Sequence, residues 1–119
     1  MAMKIYKKIM LAVILAALLA IPAIAFAHPP KAVKMSWDPS GVLTVNAEHS
    51  VGDPQKHYIN KIIIYVNDKI VTQKEYKAQS GADGLTDTFN LGPQASGTTI
   101  KAEAFCIIMG SDTGSLTVP

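Results

Sequence analysis

Three histidines and one cysteine are the residues of this chain best suited to chemistry. The histidines are His28, His49 and His57, separated by 21 and eight positions, and Cys106 is the only thiol. Imidazole nitrogen and thiolate sulfur are the donors used by zinc, copper and iron sites. A metal would also give an unpaired cysteine a stable state in an oxidising compartment, because coordination holds it as thiolate. No two of the four form a CxxC or HxxxH pair, so their spacing alone does not set them apart. Taken singly, a histidine at a loop edge is a solvated side chain, and a cysteine on an alternating strand is a small core hydrophobe. Other chemistries have no footing: the chain has no GxSxG and no phosphate-cradling glycine loop. The segment "SGADG" lacks the carboxylate spacing of a calcium loop and reads as a turn.

The elements that would carry these residues are strands. "AVKMSWD" (32–38) alternates and ends at "DPSG", and "VLTVNAE" (42–48) is rich in β-branched residues. "YINKIIIYV" (58–66) is apolar on both faces in its second half, as a central strand should be. Lys61 within it reads as lying at a sheet edge or extending its ammonium to water. Asn67 and Asp68 suit a tight hairpin turn, which returns as "KIVTQKEY". "LTDTFNL" and "TIKAEAFCI" follow, and "SLTV" closes the chain as a short edge strand. In "TIKAEAFCI", Ala102, Ala104 and Cys106 share one face, and Lys101, Glu103 and Phe105 the other. About seven short strands and no helix in this region predict an all-β protein, an immunoglobulin-like β-sandwich. On this pattern His28 precedes the first strand, His49 ends the second, His57 enters the third and Cys106 ends the penultimate one.

Residues 1–27 read as a signal peptide. Lys4, Lys7 and Lys8 precede an apolar run from Met10, and "AFA" offers small residues at the −3 and −1 positions of a cleavage site after Ala27. A retained N-terminal anchor is the alternative. Cleavage leaves residues 28–119 as one small domain with no stable membrane span, exported to the periplasm or the cell exterior. That domain carries eight lysines against nine acidic residues and no arginine. It therefore lacks the basic stripe that nucleic-acid binding needs.

Three segments carry a family resemblance. "DPQKHYINKIIIY" is similar to the superoxide reductase (desulfoferrodoxin/neelaredoxin) pattern "HPxxxxHYIxWIEL". "AEAFCIIMG" resembles that family's "AxAYCNxHG", and "HPPKAV" sits where the family has "HVPxI". The resemblance implies a mononuclear iron, held by four histidines in a plane and one axial cysteine thiolate, that reduces superoxide to peroxide. By position His28, His49 and His57 correspond to three of the four equatorial ligands and Cys106 to the axial one. Lys56 corresponds to the loop lysine that attracts the superoxide anion. The sequence departs from the pattern where Met109 replaces the fourth histidine, where Lys61 replaces the tryptophan, and where Gln55 falls near the loop glutamate. The interval from His49 to His57 is also two residues longer than the family's. A Cys and Met among the donors make a softer set, so copper is the alternative metal and electron transfer the alternative role. After cleavage, the amine and imidazole of His28 could chelate copper together. A metal-free interaction domain is the remaining reading. The electron donor is unknown, and no segment marks an oligomer interface.

Overall fold

The computed structural model describes residues 28–119 and, before them, Lys7 and Met10 alone. The expected signal peptide therefore lies almost wholly outside the described residues. Seven strands form two antiparallel sheets: β1 (Ala32–Asp38), β2 (Val42–Glu48), β3 (Ile59–Val66), β4 (Lys69–Glu75), β5 (Gly84–Asn90), β6 (Thr99–Cys106) and β7 (Ser111–Thr117). One sheet has the order β1-β2-β5 and the other β4-β3-β6-β7. This is the β-sandwich that the alternating pattern predicts, with no helix in residues 28–119. The last strand is longer than "SLTV": it starts at Ser111, directly after the loop behind Cys106, and Ser111 Oγ donates to Glu103 on β6.

Alternation decides what is buried. On β2, Leu43, Val45 and Ala47 are fully enclosed, and on β6 Ile100, Ala102, Ala104 and Cys106 face the same interior. Across β3 and β6, Ile64 sits opposite Ala102 and Ile62 opposite Ala104, so large side chains are laid beside small ones on the core face. Each enclosed Leu, Ile or Phe contributes about 1.5–3 kcal/mol by leaving water. Phe89 and Leu85 of β5 complete the core from the other sheet.

Two local features set the register. Asn67 and Asp68 have φ of 49° and 66°, the left-handed geometry that a two-residue hairpin needs. At the start of β3 the pairing with β6 slips: Ile59 faces Cys106, yet Lys61 faces Phe105, leaving Asn60 as the extra residue of a bulge. The bulge lets Ile59 and Ile62, three residues apart, both point into the core. Lys61 is not at a sheet edge, because β3 is an interior strand. Its ammonium lies 4.5 Å from the Phe105 ring centroid on the outer face.

The topology gathers four chain points at one end of the sandwich. The approach to β1 runs beside the end of β2, since Ala32 pairs with Glu48 and Lys31 N–H donates to Glu48 O. The start of β3 lies beside the end of β6. These are the places where His28, His49, His57 and Cys106 stand.

Candidate metal centre

The three imidazoles converge. His28 and His49 have ring centroids 5.1 Å apart, His28 and His57 5.3 Å, and His49 and His57 4.7 Å. One ring nitrogen from each lies within 4.8 Å of those of the other two. His49 is fully buried where β2 ends, His57 is half-buried and His28 is exposed. A cleft of about 430 Å³ lined by His28, Ser50, Val51, Gly52 and His57 leads to the cluster from solvent.

Each candidate donor has a local cause for its position. His57 is presented by the turn that opens at Asp53, whose carbonyl accepts from the N–H groups of Lys56 and His57. The Asp53 carboxylate accepts from Gln55 N–H, an Asx-type closure. Cys106 is the last residue of β6, and its N–H donates to Gly110 O across the Ile107–Met109 loop. Its Sγ lies 3.1 Å from His57 Nε2 and accepts from Ile108 N–H at 3.4 Å. Cys106 thus joins the cluster through His57, while the mutually close set is the three histidines.

His49 shows most clearly what the pocket accepts. Its Nδ1 meets Gln79 Oε1, a buried side chain from the loop after β4. Its Nε2 lies 3.2 Å from the His28 carbonyl oxygen. Gln79 Oε1 also accepts from Ile59 N–H at 3.0 Å, and Gln79 Nε2 donates to the carbonyls of His49 and Gly81. Those partners fix which end of the amide is oxygen, so His49 Nδ1 must be the protonated nitrogen. Its Nε2 faces the His28 carbonyl oxygen. A donor set of three imidazoles and one cysteine sulfur fits a transition metal.

Burial first, and then the charges of His49 and His28, hold the His57 imidazole below its usual pKa and favour the neutral, metal-binding form. Lys56 sits exposed in the turn that carries His57. Met109 lies in the loop after Cys106 and is 46% exposed. His28 Nδ1 faces the Pro29 carbonyl at 3.1 Å, so that nitrogen is the donor and Nε2 is left for a ligand role. Gln79 is the residue that sequence reasoning missed. It belongs to no motif, and only its enclosure in an otherwise polar loop marks it.

Among the described residues no helix is long and apolar enough to cross a membrane. No protein-family model matches the chain, and neither does any curated protein. Solved structures match at the level of the β-sandwich fold. The superoxide reductase (neelaredoxin) from Archaeoglobus fulgidus in its reduced form aligns at a TM-score of 0.50 and 20% identity, over 79% of this chain and 91% of that one. The superoxide reductase (neelaredoxin) from Ignicoccus hospitalis aligns at 0.50 and 18%, over 76% and 79% of the two chains. A hypothetical protein from Pyrococcus horikoshii aligns at 0.52 and 14%, over 77% and 88%.

Proposed function

We propose that this protein is a metal-binding relative of the superoxide reductases, holding one iron at His28, His49, His57 and Cys106 and reducing superoxide. The observation that carries the proposal is the meeting of three imidazoles within 4.8 Å, with the chain's only thiol 3.1 Å from one of them, at one end of a neelaredoxin-type sandwich. Iron(II) held there would supply the one electron that, with two protons, converts superoxide to hydrogen peroxide, and a one-electron donor would be needed to restore it. The protein's own residues do the rest. Cys106, as thiolate, adds electron density to the site, and the Ile108 N–H steadies that sulfur. The lowered pKa of His57 keeps its lone pair free. Lys56, exposed on the turn that carries His57, draws the anion toward the cleft. The cleft at His28 leaves the site open to solvent for substrate and product.

The exported setting belongs to the same proposal. It is supported by the lysine-flanked apolar run that ends in "AFA" one residue before His28. The test is metal content by mass spectrometry on naturally processed protein, followed by superoxide consumption. About one iron per chain and peroxide formation without dioxygen support the proposal. One copper per chain points instead to electron transfer, and a metal-free protein after anaerobic reconstitution refutes it.

A further inference from the structure

We infer that Gln79 is a positioning residue for this site: it commits His49 to the Nδ1–H tautomer and so leaves Nε2 as the donor. The inference rests on the metal reading for its purpose, but its geometry stands apart from any metal. Gln79 is 6% exposed, and every polar atom of its side chain is engaged. Oε1 accepts from Ile59 N–H and from His49 Nδ1. Nε2 donates to His49 O and Gly81 O, each at 3.0 Å. A backbone N–H can only donate and a carbonyl can only accept, so the amide cannot be turned round without creating three like-with-like contacts.

The same residue reaches the second histidine. Gln79 N–H donates to Pro54 O at 3.0 Å, which anchors the turn that presents His57. One residue thus ties the end of β2, the start of β3 and the His57 turn together before any ion arrives. Without the Gln79 acceptor, His49 has one remaining neighbour for its ring proton. That neighbour is the His28 carbonyl, 3.2 Å from Nε2. The proton would move to Nε2, and the donor nitrogen would be blocked.

The test is ring-15N histidine NMR on the full chain in detergent micelles, metal-free and reduced, where three histidines give three resolvable imidazoles. His49 should show the Nδ1–H tautomer in the unaltered protein. In Gln79→Met it should shift to Nε2–H, and affinity for ferrous iron alone should fall by about 10–100-fold, as loss of a group that orients a metal-bound histidine does. Gln79→Glu, with its carboxyl protonated so that it still donates toward the His49 and Gly81 carbonyls, keeps an acceptor at Nδ1 and should retain the tautomer, which separates positioning from simple packing. An Nε2–H tautomer at His49 in the unaltered protein overturns the inference, even if Gln79→Met fails to fold. So does a Gln79→Met protein with unchanged tautomer and unchanged iron affinity. If the unaltered protein shows the Nδ1–H tautomer but takes up no iron, the metal proposal fails and the assignment of Gln79 stands.

Discussion

Gly110 couples the cysteine loop to the His28–Pro29 segment before β1, and replacing it by alanine should injure both stability and metal binding. Its φ is +77°, a left-handed conformation that costs an L-residue about 1–2 kcal/mol. A Cβ there would also lie 2.9 Å from Pro29 Cβ, too close without movement. Pro29 follows His28, so the movement falls on a proposed ligand, while Gly110 O holds the N–H of Cys106. Gly97 provides the control. Its φ is +86°, but a Cβ there meets nothing within 4 Å. Gly97→Ala should therefore show the backbone cost alone, lowering Tm by about 4–8 °C for a domain of this size. Gly110→Ala should lower it by about twice as much, and should also weaken ferrous iron binding, which Gly97→Ala leaves unchanged. Thermal unfolding followed by circular dichroism, together with an anaerobic iron titration of both variants, measures this. Equal losses of stability with equal iron affinities would refute the coupling between the Cys106 loop and His28.

Three further outcomes are expected. Cys106→Ser should abolish any visible thiolate-to-iron absorption and weaken iron retention, with spectra taken after anaerobic loading; a persisting band would remove Cys106 from the ligand set. The metal-free protein should lose stability in acid because His57 is held below the usual value, chiefly by burial. The unfolded chain takes up that proton near pH 6.5 and the folded chain only at lower pH, so stability is level above about 6.5 and falls below it. Urea denaturation from pH 8 to 5 should show this slope flattening in His57→Gln. Ile62→Ala, in the fully enclosed core opposite Ala104, should cost about 2–5 kcal/mol in urea unfolding while leaving the iron affinity of the folded protein unchanged.

Much of the sandwich was legible in the residue order. The bounds of β1 and β2 follow from alternation and from the turn at Pro39, and the Asn67–Asp68 hairpin follows from two residues that tolerate left-handed geometry. The inward face of β6, with Cys106 at its end, follows from a period of two. Less legible were β7, whose polar first half gives no alternating signal, and the bulge at Asn60, which depends on how β3 meets β6. The histidines and the cysteine could be named as donors by their chemistry, and placed at strand ends by the turns around them.

Their meeting is another matter. His57 and Cys106 are 49 positions apart, and they touch because the start of β3 pairs with the end of β6. His28 and His49 are 21 apart and meet because the approach to β1 runs antiparallel to β2. His49 and His57 come together because those two pairs belong to opposite sheets that close on one core. Gln79 became visible only through the four groups its amide engages. Local pattern is set by side-chain period and turn geometry, which act over a few residues. A metal site is set by register and sheet packing, which act between segments with no sequence proximity.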